Sequence, residues 1–122
     1  MNKCVLILDD DPEISMVCKI ILEQKNYIVE TRLFCDNILK DCEDISPDII
    51  LMDLWIPVIG GEEAVNLIKR NPATAHIPVI LFSANTGIDI IVKRTNANGV
   101  LKKPFDINEL LTTIENTLAG IK

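Results

Sequence analysis

The 122-residue sequence predicts an α/β fold in which a five-stranded parallel sheet carries helices on both faces. Three observations lead there. Short aliphatic runs recur at Cys4–Leu8, Ile28–Leu33, Ile49–Met52, Ile77–Phe82 and Val100–Leu101, and a longer stretch with helical spacing follows each of them. The runs lack polar alternation, as strands buried on both faces do. The length and the 48% apolar content suffice for a single hydrophobic core and not for a second.

The first helix is expected behind Cys4–Leu8. Ile14, Val17, Cys18, Ile21 and Leu22 recur at i, i+3, i+4, i+7 and i+8, with Asp11 as N-cap and Pro12 at the first helical position. Cys35–Cys42 and Glu62–Arg70 read as shorter helices after the second and third runs. Thr86–Asn96 carries Gly87 and several β-branched residues, so it is the weakest helix and is expected to be the most mobile. Ile107, Leu110, Leu111, Ile114 and Leu118 restore the helical period after Asp106 and end near Gly120. Gly and Pro are scattered singly and no repeat or linker intervenes, so residues 1–122 read as one domain with no effector domain.

Twelve Lys and Arg stand against 18 Asp and Glu, a net charge of -6. No basic cluster exceeds Lys102-Lys103, so no footprint for direct nucleic-acid binding is expected. The apolar runs fall far short of the roughly 18 residues that span a bilayer. The N-terminus lacks the apolar core and cleavage site of a signal peptide, and a cytoplasmic location is expected. Cys4, Cys18, Cys35 and Cys42 show no CxxC spacing and His76 is the sole histidine. The cysteines therefore read as buried small hydrophobes rather than as a metal site or a disulfide framework.

In an open parallel sheet, ligands bind at the carboxyl ends of the strands. The residues that follow the runs there are Asp9, Asp10 and Asp11, then Asp53, then Ser83, then Lys102, Lys103 and Pro104. Carboxylates held this close repel one another in a partly buried cleft, and a hard divalent cation offsets the repulsion, Mg2+ being the usual one where a phosphate also binds. Asp11 reads as a helix cap outside the site. Paired carboxylates directly behind a buried strand are costly without a partner, which favours a metal role for Asp9 and Asp10 over a solvated strand end. Asp53, between an apolar strand and Leu54-Trp55, is an odd place for a plain surface charge. Lys102 is expected to face solvent or a partner, His76 receives no role, and Gly61 is assigned to a backbone turn.

Four stretches in order, Leu8-Asp9-Asp10-Asp11, Leu51-Met52-Asp53-Leu54-Trp55-Ile56-Pro57 with Gly61 eight residues after Asp53, Ser83-Ala84 and Lys103-Pro104-Phe105, resemble the receiver domain of two-component response regulators. The resemblance runs from about Lys3 to Leu118. It implies a flavodoxin-like (βα)5 sandwich of strand order 2-1-3-4-5. It further implies that Asp53 is a phosphoacceptor served by a sensor histidine kinase or a histidine phosphotransfer protein. Asp10 and Asp53 would bind Mg2+ directly, Asp9 mainly through water, and the backbone carbonyl of Trp55 would complete the protein ligands. Ser83 resembles the switch hydroxyl, and Lys103 the cation that pairs with Asp53 and then with its phosphoryl group. The Lys103-Pro104 bond is expected to be cis.

The implied output is a changed surface on the fourth helix, fifth strand and fifth helix, read by a downstream protein. Many receivers place Tyr or Phe in the fifth strand where this sequence has Val100. Coupling is therefore expected through Ser83, the loop after it and Thr86–Asn96. Trp55, bulkier than the polar residues often found two positions past the nucleophile, is expected to restrict the approach of water. The rival readings are an unphosphorylated docking module, a Mg2+-dependent phosphatase with an aspartyl nucleophile, and a flavin or nucleotide binder. The complete acidic, hydroxyl and lysine set argues against the first. The absence of a substrate cap argues against the second, and the absence of a Gly-rich phosphate loop against the third.

Overall fold

A computed structural model of the chain describes residues 2–84 and 88–120. Strands and helices alternate as β1 (Cys4–Leu8), α1 (Pro12–Gln24), β2 (Ile28–Arg32), α2 (Ile38–Ile45), β3 (Ile49–Asp53), α3 (Gly61–Arg70), β4 (Val79–Ser83), α4 (Ile88–Thr95), β5 (Gly99–Lys102) and α5 (Ile107–Leu118). All strand pairs are parallel, and the order is β2-β1-β3-β4-β5, as expected.

Side-chain alternation along the three central strands builds two cores. Val5, Ile7, Ile49, Leu51, Ile80 and Phe82 pack with Cys18 and Leu22 of α1 and Leu110 and Ile114 of α5. The residues between them, Leu6, Leu8, Ile50, Met52, Val79 and Leu81, pack with Ile38 and Cys42 of α2 and Ala64, Val65 and Ile68 of α3. Each fully buried side chain of this size contributes on the order of 1.5–3 kcal/mol relative to exposure. Both faces of β1, β3 and β4 are therefore apolar. The edge strand β2 departs from that expectation: Val29 is buried in the core with Cys18 and Leu22 of α1, while its neighbours Ile28 and Glu30 are exposed.

Local signals set the helix ends. The Asp11 carboxylate accepts from the N–H groups of Glu13 (2.9 Å) and Ile14 (3.4 Å), with Pro12 opening α1. Beyond its end, Asn26 takes a left-handed φ of 68° and Tyr27 N–H donates to the Leu22 carbonyl at 3.1 Å. Asp106 caps α5 through the Glu109 N–H at 2.7 Å.

Three expectations need correction. The second helix runs Ile38–Ile45, not Cys35–Cys42, because the Asn37 side chain caps it by accepting from Lys40 N–H, while Cys35 pairs across to Val58 in a short β-bridge. The fourth strand begins at Val79 rather than Ile77, since Pro78 has no N–H to offer the ladder. Gly61 makes no turn of its own; the positive φ of 88° belongs to Gly60. A Cβ on Gly61 would lie 2.5 Å from the Asp53 carbonyl oxygen and 2.7 Å from Leu54 Cα, so the first turn of α3 needs glycine to sit against the end of β3. Of the weak helix expected at Thr86–Asn96, Ile88–Thr95 is helical and Thr86 and Gly87 lie outside the described residues. Among the described residues no helix is long and apolar enough to cross a membrane.

Candidate functional site

The register of the sheet decides which side chains meet at its carboxyl edge. Leu8 pairs with Met52, Asp53 with Phe82 and Ser83 with Lys102, so Asp9, Asp53, Ser83 and Lys103 leave neighbouring strands at nearly one level. Carboxylate oxygens of Asp9, Asp10 and Asp53 all lie within 4.8 Å of one another. Asp9 and Asp53 are buried, and Asp10 is exposed.

Each buried group is held from more than one side. Asp9 Oδ1 accepts the Asp11 N–H at 2.8 Å, and its Oδ2 meets Lys103 Nζ at 2.8 Å. The Ser15 hydroxyl on α1 donates to the Asp9 carbonyl at 3.3 Å. Asp53 Oδ1 accepts the Trp55 N–H at 3.4 Å, and Lys103 Nζ stands 3.9 Å from Asp53 Oδ2. Lys103 thus leans on Asp9 more closely than on Asp53. Its own N–H donates to the Ser83 carbonyl at 3.1 Å, tying the ends of β4 and β5 together, and the Lys103–Pro104 bond is cis. Ser83 is buried at the end of β4.

Burial pushes the Asp53 carboxyl above the ordinary carboxylate range; Lys103 pulls it back, Asp9 pushes it up, the Trp55 N–H pulls it back, and Asp10 raises it again. One ammonium among three carboxylates leaves an excess of negative charge. An octahedral Mg2+ with oxygen ligands at about 2.1 Å holds adjacent ligands roughly 3 Å apart and opposite ones roughly 4.2 Å apart, so this all-oxygen cluster fits such an ion after small side-chain adjustments.

The structure separates the remaining expected residues from the cluster. Asp11 is spent on capping α1, and Lys102 is exposed. His76 is exposed in a groove with Asn37 and Asp48 that lies away from these strand ends. Trp55 is 67% exposed on the turn after β3 and touches the cluster through its N–H. The sequence reading missed two participants, Ser15 beneath Asp9 and Phe82, whose ring lies 4.7 Å from Lys103 Nζ. Strand parity could have revealed the second. Phe82 lies on the same face of the sheet as Ile7 and Leu51, two residues before Asp9 and Asp53 respectively.

Comparison with known proteins places the chain in a family. A family model described as the response regulator receiver domain matches residues 5–115, and the chain belongs to that family. Receiver domains serve phosphorylation-based two-component signalling, take the phosphoryl group from histidine kinases and use Mg2+ at an acidic pocket. The chain is 33% identical over 118 residues to the DNA-binding dual master transcriptional regulator RpaA of Synechocystis, covering 93% of this chain and 48% of RpaA. It thus spans about half the length of that curated relative, and less of several others. Among solved structures it resembles a response regulator from Chloroflexus aurantiacus, with a TM-score of 0.92 at 25% identity over 98% of this chain and 99% of that one. The chemotaxis regulator CheY4 of Vibrio cholerae gives a TM-score of 0.87 at 26% identity, covering 95% and 98%.

Proposed function

We propose that residues 1–122 act as a single receiver unit that is switched by phosphorylation of Asp53. The observation that supports this most directly is the convergence of three carboxylates within 4.8 Å with an ammonium 2.8 Å from Asp9 and 3.9 Å from Asp53. An Asp53 carboxylate oxygen attacks the phosphorus of a phosphohistidine on a sensor kinase or phosphotransfer protein. The new P–O bond forms as the P–N bond breaks, and the departing imidazole takes up a proton. Asp10 and Asp53 with the Trp55 carbonyl would hold Mg2+, Asp9 acting mainly through water. The ion, when bound, neutralises charge spread over the equatorial phosphoryl oxygens. Lys103 supplies the second positive charge, and Ser83 a hydroxyl that turns to a phosphoryl oxygen.

The output is a change in the surface formed by α4, β5 and α5, read by a downstream protein rather than by nucleic acid, with the domain working in the cytoplasm. Intact mass tests the reading after incubation with Mg2+ and a small acyl-phosphate donor. One hydroxylamine-labile phosphoryl group, absent from Asp53→Asn and from chelated protein, is the expected result. No adduct would favour the unphosphorylated docking module instead.

A further inference from the structure

We propose that Phe82 is a positioning residue for Lys103, holding its ammonium over the ring face by a cation–π contact that persists when metal or phosphoryl group engages the carboxylates. The proposal rests on the phosphoacceptor reading for its functional consequence, and on geometry alone for the contact. Lys103 Nζ lies 4.7 Å from the Phe82 ring centroid, well inside the roughly 6 Å reach of such contacts. The side chain of Lys103 is 17% exposed, so the attraction acts where water screens little.

Phe82 is itself fixed. It is fully buried in the core between the sheet and α1 and α5, and it meets Phe105 edge to face at 6.3 Å and 65°. A smaller aliphatic side chain at this strand position would keep the core apolar at the cost of a cavity; only an aromatic one offers the ammonium above it a ring face.

Among the described residues Lys103 has two charged partners, Asp9 and Asp53, and both belong to the cluster that would hold the ion. When those carboxylates turn to a cation, the lysine loses its anchors and meets a second positive charge. Among these described partners, the ring neither titrates nor changes allegiance. It keeps the ammonium at the cleft, ready for the phosphoryl oxygens, instead of letting a four-carbon stem release it to solvent.

Two measurements test this. The first is the NMR shift of the Lys103 ε-methylene protons in lysine-labelled, metal-free protein. Ring-current displacement to high field is expected, and it should vanish in Phe82→Leu. The second replaces Phe82 by 3,4,5-trifluorophenylalanine, which keeps the shape and weakens the face potential. The rate of Mg2+-dependent phosphorylation by an acyl phosphate should fall about threefold to tenfold while the protein stays folded, as its circular dichroism reports. In a Lys103→Met background the same replacement should change nothing, as a residue acting only through Lys103 requires. An undisplaced lysine signal, an unaltered rate, or an equal loss in both backgrounds would overturn the proposal. If the native protein takes up no phosphoryl group, the receiver reading fails while the lysine shift still decides the contact.

Discussion

Asp53 is buried beside two other carboxylates, and its raised pKa means that the folded chain holds its proton more tightly than the unfolded chain does. Such a group contributes stability that is fully present below the ordinary carboxylate pKa and lost as pH rises through the folded value. Asp53→Asn escapes that loss. Metal-free Asp53→Asn should therefore melt a few degrees above the native chain at pH 7, with the gap closing as pH falls through the carboxylate range; equal melting curves across pH would contradict this. Trp55 lies two residues on and is exposed, and its bulk is expected to restrict the approach of water to a phosphoryl group on Asp53. Trp55→Asn should shorten the phosphorylated lifetime several-fold, followed as loss of the labile mass. At this scale the sequence was most legible for charged side chains directly behind apolar runs. Ser15 escaped notice because a hydroxyl inside a helical core pattern carries no outward sign of what lies above it, whereas Phe82 needed only strand parity to be placed under the site.

The turn from β3 to α3 shows how an element is fixed by contacts remote in sequence. Val58 has a φ of 82°, a strained conformation for a β-branched residue, costing roughly 1–3 kcal/mol. Cys35 N–H donates to the Pro57 carbonyl at 3.1 Å and Ile59 N–H to the Cys35 carbonyl at 3.0 Å, and these bonds hold the conformation. Val58→Asn, which tolerates positive φ, should stabilise the fold by about 1 kcal/mol, seen as a higher urea midpoint at constant m. This bridge also explains why the second helix was misjudged. Cys35, Ile38, Leu39 and Cys42 keep a helical period, yet Asn37 caps the helix only after Cys35 has been claimed by Val58. The central strands, apolar on both faces, left their existence in no doubt, and only the start of β4 at Pro78 was misplaced. On the opposite flank, Arg94 of α4 grips Glu62 of α3 through two bonds of 2.6 and 2.8 Å. Glu62→Gln should lower hydrogen-exchange protection across 88–95 and leave α5 unchanged.

At the scale of the molecule, the sheet works as a platform whose interior is apolar and whose carboxyl edge concentrates charge. A chain with a net charge of -6 that gathers three carboxylates at one edge should gain stability from a divalent cation. Mg2+ at a hundred times its dissociation constant should add about 2.7 kcal/mol to unfolding, reversed by chelation and diminished in Asp10→Asn. The two-layered core, set by strand parity, was readable only in outline. The apolar runs announced five strands, while assigning odd and even positions to opposite faces required the register. The same interior has a practical corollary for finding partners. Burial pushes the thiols of Cys18 and Cys42 up to about 11 and that of Cys35 to about 12, and that of Cys4 is raised as well. At neutral pH the thiols of Cys18, Cys35 and Cys42 stay protonated and are closed off from solvent. A single cysteine introduced on an exposed position of α4 or α5 should therefore take a maleimide dye or photocrosslinker selectively once the half-buried Cys4 is replaced, with Cys18, Cys35 and Cys42 kept.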